Sequence, residues 1–220
     1  MAQKYLTKEK IIEIAIALFN EQGVQKVTSR HIAKEMGISH GNLNYHFNTK
    51  EDLLLAIYDL MRTEMSESYT GSLQHKTSFE HFHKLLLHLE VFNYKFRFFN
   101  MDVLELYRSF PKIQELLTET LELRKTQMYD LFQQFHADGY LDNQYLQNSE
   151  RLQHMIRIVI TFWLSQQEVL INFKFQERGE IAKHIWELIT PYMTEKGWEE
   201  YRAVLEKYPY DEEVPILVEK

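Results

Sequence analysis

The stretch MGISHGNLNYHFNTKEDLL, residues Met36–Leu54, interrupts a helical pattern with a short polar segment and then resumes it at once. Gly37 ends the preceding pattern, because glycine adopts turn conformations that other residues resist. Ser39 stands where a helix N-cap is favoured and predicts a short helix that ends at Asn44 or Tyr45. The stretch therefore predicts two helices joined by a glycine turn.

The segments on either side of this turn also read as helices. Upstream, a first helix is predicted from Lys8 to about Asn20, with Thr7 as its N-cap. Gly23 is its expected left-handed stop. Downstream, a fourth helix begins after Thr49, with Asp52 completing a capping-box pattern. The second helix begins near Thr28 or Ser29, and the side chains expected to face inward from this helix-turn-helix are Ile32, Ala33, Met36, Ile38 and Leu43.

The composition favours a helical globular protein. The 220 residues are 45% hydrophobic and 26% charged, and they include only 7 Gly and 4 Pro, which are the residues that make turns. The absence of cysteine excludes disulfides and thiolate metal sites. The N-terminus has no apolar signal region, and the most apolar run, residues 158–167, is too short to span a bilayer. We expect a soluble, cytoplasmic protein with no membrane partner.

Charge is unevenly distributed along the chain. Residues 1–50 hold seven Lys/Arg and four Asp/Glu, whereas residues 51–220 hold eighteen and twenty-eight. A mildly basic head on an acidic body can orient a protein on nucleic acid, although an excess of this size is also common in proteins with no such partner.

The rest of the chain is predicted to be helical with few breaks. Residues 68–78 are the best linker candidate, and the tail 208–220, with two Pro and four acidic residues, is expected to contain no helix. The predicted helices are 79–94, 97–109, 112–137, 149–173, 179–193 and 195–206.

The N-terminal motif resembles the DNA-binding domain of TetR-family (tetracycline-repressor-like) transcription regulators. The resemblance covers roughly the first 55–60 residues, and Asn44 departs from it because many members have an aromatic residue there. The residues that carry it are Ala15, Leu18, Phe19, Gly23, Thr28, Ile32, Ala33, Gly37, Ile38, Ser39, Gly41, Leu43, Tyr45, His46, Phe47, Lys50, Glu51 and Leu53.

The resemblance implies an all-α fold with an N-terminal three-helix helix-turn-helix domain and a C-terminal helical ligand-binding and dimerisation domain. The corresponding boundaries are 1–50 for the DNA-binding domain, 51–207 for the effector-binding and dimerisation domain, and 208–220 for a non-helical tail. The implied partners are double-stranded DNA, a second copy of the chain and a small-molecule effector. The implied function is a transcriptional regulator, more often a repressor, released from a palindromic operator by an apolar or aromatic effector.

The resemblance also implies roles for individual residues. Thr28 and Arg30 would meet a phosphate or a base edge. His40, Gly41 and Asn42 would face base edges, where asparagine can pair with adenine. Asn44 would read a base or bond a phosphate. The residues implied to hold phosphates are Ser39, Tyr45, His46 and Lys50, although His46 is also open to a plain surface role, and Phe47 is expected in the core.

Two helices carry apolar stripes that fit a dimer interface in such proteins or, equally, the core of the single chain. The stripe residues are Leu152, Met155, Ile156, Val159, Trp163 and Leu170 on one helix, with Ile181, Ile185, Leu188 and Ile189 on the next. Effector contacts are expected among central aromatic and polar residues, although aromatic residues at helical spacing are more often plain core. The candidate contacts are Phe92, Phe96, Phe99, Tyr107, Arg108, Gln127, Phe132, Trp163 and Gln166.

The sequence favours neither an enzyme nor a metal site, and it leaves one alternative to control by a small molecule. No phosphate-binding glycine loop, nucleophile motif or ligand cluster appears, so we expect neither an enzyme nor a cofactor. His81 and His83 point to different faces of one helix, which argues against a metal site. A DNA-bound interaction protein controlled by a protein partner, for which the acidic tail is one candidate surface, stays as the alternative to a small-molecule effector.

Overall fold

The computed structural model describes residues 2–70, 77–169 and 177–211, apart from the side chains of residues 2–6 and 67–70. Within these ranges the chain is all-α, as predicted, with one isolated antiparallel bridge between Leu141 and Met193. Of the predicted linker at residues 68–78, residues 71–76 lie outside the described residues, as do Leu170 and the tail from residue 212. The helices are α1 (Ala2–Gln22), α2 (Ser29–Met36), α3 (His40–His46), α4 (Lys50–Thr70), α5 (Ser78–Lys95), α6 (Arg97–Met101), α7 (Val103–Ser109), α8 (Pro111–Ala137), α9 (Asn143–Val169), α10 (Glu180–Ile189) and α11 (Glu195–Lys207), with a 3-10 turn at Thr190–Tyr192.

The chain folds as two compact units. One unit comprises Met1–Glu64 and Phe96–Thr120, and the other comprises Met65–Lys95 and Leu121–Lys220. The first unit thus joins α1–α3 with α6, α7 and the beginning of α8, although these helices are far apart in sequence. The predicted functional boundary after residue 50 concerns roles rather than packing, and it stays a prediction.

The first unit is built on an apolar core beneath α2 and α3. Ile11, Ala15 and Phe19 of α1 are at most 1% exposed, and they recur every four residues on one face of the helix. Ile32 and Leu43 are each 1% exposed and fix α2 and α3 against that face. The remaining buried side chains of this core include Val24, Val27, Ala33, Phe47, Leu53, Leu54 and Ile57.

Local capping sets most of the helix ends in this unit. Thr49 and Asp52 form the predicted capping box, in which each backbone N–H donates to the other residue's side chain at 3.0 Å. Gly23 ends α1 with a φ of 79°, as predicted. The predicted N-cap at Thr7 was wrong, because α1 already begins at Ala2 and Thr7 lies within it.

A long-range contact divides the helix predicted at 97–109. The backbone N–H of Val24 donates to Asp102 Oδ2 at 2.7 Å, and Asp102 lies between α6 and α7 with φ −104° and ψ 15°. On α6, Phe98 packs on Phe19 with ring centroids 5.4 Å apart, and its backbone N–H donates to Asn20 Oδ1 at 2.9 Å. These contacts hold α6 and the start of α7 against the end of α1.

The second unit has its own core, formed by α5, α8, α9, α10 and α11. Aromatic rings meet at its centre: Phe79 lies 4.8 Å from Phe135 and 4.9 Å from Trp186 between ring centroids. α9 begins earlier than predicted, because Asp142 Oδ1 accepts the backbone N–H groups of Gln144 and Tyr145 at its first turn.

A buried histidine connects the C-terminal part of the chain to this core. Trp186 Nε1–H donates to His83 Nδ1 at 3.0 Å, so the other ring nitrogen, Nε2, carries the proton and donates to the Tyr208 carbonyl at 2.8 Å. Burial lowers the pKa of His83 to about 4. The hydrogen bond to the Tyr208 carbonyl raises the pKa, but its effect is smaller than that of burial. The neutral ring is therefore part of the folded core near neutral pH.

The predicted dimerisation stripe needs a correction. Leu152, Ile156, Ile181, Ile185 and Ile189 are at most 1% exposed, because they fill the core between α9, α10 and their neighbours within one chain. A second subunit cannot contact them while this core is closed. Among the other predicted members, Met155 is exposed, and Val159, Trp163 and Leu188 are partly buried.

A different apolar face of α9 is exposed. Met155, Ile158 and Phe162 are 41%, 47% and 44% exposed, and Val169 is 76% exposed. Their spacing of three, four and seven residues places them on one side of the helix.

Among the described residues, no helix has the length and apolarity needed to cross a membrane.

Candidate nucleic-acid interface

The turn between α2 and α3 has the geometry predicted for it. Gly37 adopts a φ of 71°, in the left-handed region that β-carbons disfavour. Its N–H donates to the Lys34 carbonyl at 3.1 Å, and the Ile38 N–H donates to the Ala33 carbonyl at 3.0 Å. These two bonds close the end of α2, so α3 leaves it at a fixed angle.

α3 presents a polar face away from the apolar core. Ser39 caps the helix, accepting the Asn42 N–H on its Oγ at 3.1 Å, as predicted. The exposed residues of the helix include three predicted base-reading residues, His40, Gly41 and Asn42. Leu43, between them and the core, anchors the helix.

The other DNA contacts predicted on α3 differ in their exposure. Tyr45 is 69% exposed, and its ring lies 5.5 Å from that of His46 in an edge-to-face arrangement. Asn44 and His46 are partly buried, and Phe47 is 4% exposed, which confirms its predicted place in the core. The side chains of Asn44, Tyr45 and His46 lie on one short helix, so a single DNA duplex could contact them together. Their DNA roles stay predictions.

The start of α2 contributes two more predicted contacts. Thr28 and Arg30 are both exposed. Thr28 also has a structural role that the sequence did not reveal: its Oγ1 accepts the His31 N–H at 3.3 Å, while the Thr28 N–H donates to His31 Nδ1 at 3.4 Å. Histidine at this position completes a capping box, where glutamate or glutamine is the usual signal.

Lys50, the last predicted phosphate contact, is partly buried and engaged within the protein. Its ammonium donates to the Val24 carbonyl and lies 5.8 Å from the centroid of the Phe19 ring. Burial lowers the pKa of Lys50, and the nearby carboxylates of Asp102 and Glu105 counteract this effect. No residue pattern near Lys50 predicts these two neighbours, because both lie on a distant part of the chain.

The predicted effector residues are divided between the two units. Phe96, Phe99, Tyr107 and Arg108 belong to the first unit, where Phe96 is buried and Tyr107 and Arg108 are exposed. Phe99 stacks on Tyr58 with ring centroids 5.4 Å apart. In the second unit, Phe132 is fully buried in the core, and the remaining candidates are the partly buried Phe92, Gln127, Trp163 and Gln166.

Two buried polar groups on α5 were missed by the sequence reasoning. Among the described residues, Asn93 Nδ2 and Glu90 Oε2 are shielded from solvent and have no hydrogen-bond partner. Glu90 Oε1 accepts the Gly179 N–H at 3.1 Å, at the start of α10. Burial raises the pKa of Glu90, partly offset by this hydrogen bond. Their only sequence signal is a polar pair at a spacing of three residues within an apolar helix face.

A helix-turn-helix with an apolar inner side and an exposed polar second helix defines the class of sequence-specific DNA-binding regulators. The family model described as "Bacterial regulatory proteins, tetR family" matches residues 11–57, and the model described as "Bacterial transcriptional repressor" (TetR) matches residues 60–201. The chain belongs to the TetR family, and it is a DNA-binding transcriptional regulator. Homodimers and a response to ligands are typical of this family.

Two curated relatives illustrate the similarity. The chain is 30% identical over 176 residues to the HTH-type transcriptional regulator SAR2658 of Staphylococcus aureus (strain MRSA252), a match that covers 66% of this chain and 95% of that protein. It is 37% identical over 68 residues to the HTH-type transcriptional regulator AcrR of Shigella flexneri, where the match spans 31% of this chain and only 29% of AcrR. These relatives are transcriptional regulators, which are not enzymes.

Solved structures share the fold at low sequence identity. A TetR-family transcriptional regulator from Marinobacter aquaeolei VT8 superimposes with a TM-score of 0.75 and 22% identity, covering 92% of this chain and 98% of that one. A transcriptional regulator from Saccharomonospora viridis, solved in complex with choline, gives a TM-score of 0.69 at 19% identity, covering 87% and 99% of the two chains.

Proposed function

We propose that this protein is a dimeric repressor that binds a palindromic operator and is released from it by a small apolar or aromatic effector. The observation that supports DNA binding is the exposed polar face of α3, which is anchored by Leu43 on the apolar core of the first unit. His40, Gly41 and Asn42 read base edges in the major groove, and Asn44 reads a base or bonds a phosphate. The phosphate contacts come from Thr28, Arg30, Ser39, Tyr45, His46 and Lys50. The protein acts in the cytoplasm, where the DNA is accessible.

The exposed apolar face of α9 is the proposed dimer interface. Ile158 and Phe162 lie at its centre, flanked by Met155 and Val169. Apolar side chains on one helix face are stabilised when a second copy covers them, and a two-fold axis matches the two halves of a palindrome. This face takes over the role predicted for the buried members of the original stripe. Val159, Trp163 and Leu188 are partly exposed and stay in the proposed interface at its edge.

The effector is proposed to bind among the helices of the second unit. Phe92 supplies an apolar surface on α5, and the unpaired atoms of Glu90 and Asn93 offer polar partners on the same helix. A buried polar group without a partner is costly, so a ligand that pairs with it gains both affinity and selectivity. The choline complex of the Saccharomonospora viridis regulator supports a small organic ligand in this fold.

Effector control is proposed to act as a shift between two arrangements of the two DNA-binding domains of a dimer. α4 is one continuous helix from Lys50 to Thr70, so a change in packing at its far end can move the end next to α3. A ligand weakens operator binding if it binds more tightly to the arrangement in which the distance between the two domains does not match the operator. Unchanged operator affinity in the presence of a ligand shown to bind would contradict this mechanism and favour control by a protein partner.

Selection of random DNA duplexes by the purified protein tests the DNA-binding proposal. The wild type is expected to enrich a palindrome. Asn42→Ala is expected to relax selection at particular bases, because each paired base contact contributes about 1–3 kcal/mol of discrimination. The control is Asn48→Ala, an exposed asparagine in the turn after α3, which is expected to leave the selected sequence unchanged. Weak, unselective and salt-sensitive binding would mean that the protein contacts only the phosphate backbone of the DNA, and it would overturn the proposal.

A further inference from the structure

Lys8 extends the inward-facing stripe of α1 by one further turn. Ile11 and Ala15 lie on the buried face of this helix, and Lys8 stands three residues before Ile11. Residues three or four apart lie on the same side of a helix, so Lys8 is directed towards the neighbouring helices. Its residue is nevertheless exposed. A lysine at the edge of an apolar face keeps its stem against the protein and its ammonium in water.

The ammonium of Lys8 lies beside the residue that ends α3. Its Nζ is 5.4 Å from the centroid of the Phe47 ring, a distance at which a cation is attracted to an aromatic face. Phe47 is 4% exposed, and its N–H donates to the Leu43 carbonyl at 3.0 Å, so the ring is fixed to the last turn of α3. The contact therefore holds a positive charge from α1 at the C-terminal end of α3.

Two proposed phosphate contacts stand at this same end of α3. Tyr45 and His46 directly precede Phe47, and their rings meet edge to face. A phenol hydroxyl, an imidazole N–H and an ammonium are all donors that can bind a phosphate oxygen. The end of α3 thus combines such donors from two helices, α1 and α3.

We propose that Lys8 is a further DNA contact, which binds a backbone phosphate at the end of α3 where Tyr45 and His46 bind theirs. An aromatic ring attracts the ammonium on one side and leaves N–H donors on the other side available to an acceptor. Lys50 differs, because its ammonium already donates to the Val24 carbonyl within the protein.

A phosphate contact by Lys8 strengthens binding to any duplex, because the DNA backbone carries no base sequence. Its effect on recognition is to fix the position of α3 against the groove, while the choice of bases stays with His40, Gly41 and Asn42. This inference rests on the proposed orientation of α3 and adds a residue of α1 to the DNA-binding surface.

The test compares Lys8→Gln with Lys10→Gln in the full chain. Affinity is measured over a range of salt concentrations for the duplex selected by the wild type and for an unrelated duplex. Lys10 is exposed on the same helix, and two residues from Lys8 it faces a different side. Each substitution removes one positive charge, so a general effect of net charge is the same in both variants.

Lys8→Gln is expected to weaken binding to both duplexes by about three- to tenfold at low salt. It is also expected to reduce the slope of log K against log salt by about 0.9, the value of one phosphate contact. The loss of affinity therefore shrinks by about threefold between about 50 and about 200 mM salt. Lys10→Gln is expected to change affinity by less than about twofold and to leave the slope unchanged.

Lys8→Met distinguishes a phosphate contact from simple packing on Phe47. Methionine keeps an unbranched apolar side chain beside the ring but has no charge, so it is expected to bind DNA as weakly as Lys8→Gln. Lys8→Arg keeps the charge and the attraction to the ring, and it is expected to bind within about twofold of the wild type. Thermal unfolding of each variant checks that the helix-turn-helix is folded.

The outcomes separate this inference from the proposed function. If Lys8→Gln has the same affinity and slope as Lys10→Gln, or if Lys8→Met restores binding, Lys8 does not bind phosphate and only the inference is wrong. If the wild type binds DNA but selects no palindrome, the proposed operator fails, and the unrelated duplex still decides the role of Lys8. If the wild type binds neither duplex, both proposals fail.

Discussion

Gly41→Ala separates the folding of α3 from its approach to DNA. A β-carbon built on Gly41 would meet only Ser39 Oγ, at 4.0 Å, and the backbone there is not in the left-handed region. Alanine therefore fits the free protein. Because alanine is a better helix former than glycine, the substitution is expected to raise the free energy of unfolding by up to about 1 kcal/mol.

The effect on DNA binding is expected to have the opposite sign. If Gly41 lies against base edges, an added methyl group pushes α3 outward and weakens neighbouring contacts such as that of Asn42. Losing one good base contact is worth about 1–3 kcal/mol, so the dissociation constant for the selected operator is expected to rise about 5- to 150-fold. Fluorescence anisotropy with a labelled duplex measures this change, and thermal unfolding measures the stability.

Gly37→Ala is the matched control. Nothing lies within 4 Å of a β-carbon at Gly37, but its φ of +71° is unfavourable for alanine. We expect this variant to lose about 1–2 kcal/mol of stability, while the molecules that remain folded bind the operator nearly as well as the wild type. If Gly41→Ala binds as tightly as the wild type, Gly41 does not face the DNA closely and the proposed orientation of α3 is wrong.

Two further predictions concern the second unit. The folded pKa of His83, about 4, lies below its ordinary value of 6.5, so the unfolded chain binds the proton first. Stability from the neutral ring is thus complete above about pH 6.5 and is lost as the pH falls towards 4; denaturant unfolding should show a loss of about 2 kcal/mol between pH 7.5 and 5, reduced in His83→Gln. Phe162→Glu, on the exposed face of α9, should convert a dimer to monomers in sedimentation and weaken operator binding. Leu146→Glu, on another face of the same helix and 46% exposed, should do neither.

The elements that local chemistry determines were predictable from the sequence. Ser39 and the capping box of Thr49 and Asp52 mark helix starts by side-chain hydrogen bonds within three residues. Gly37 marks a helix end through its own backbone freedom. The polar face of α3 followed from the same signals, since a fixed turn and one buried leucine determine which side of a short helix faces outward.

Features that depend on distant residues were not predictable. The break at Asp102 exists because its carboxylate accepts the Val24 N–H, a partner that no window around Asp102 contains. The capping box at Thr28 uses histidine, which sequence rules do not favour. The surroundings of Lys50 show the first difficulty again, because Phe19, Val24 and Asp102 all lie far from it in sequence.

The two apolar faces of α9 show why a sequence alone could not assign a dimer interface. Leu152 and Ile156 repeat with helical spacing, and so do Ile158 and Phe162, so periodicity supports either set equally. Burial distinguishes them, because Leu152 and Ile156 are completely covered by their own chain whereas Ile158 and Phe162 are nearly half exposed. When a helix is apolar on two sides, the buried face stabilises its own chain, and the exposed face is available to a second copy. Mutation of the outer face therefore tests assembly without removing the core, which is why Phe162 is the informative position and Ile156 is not.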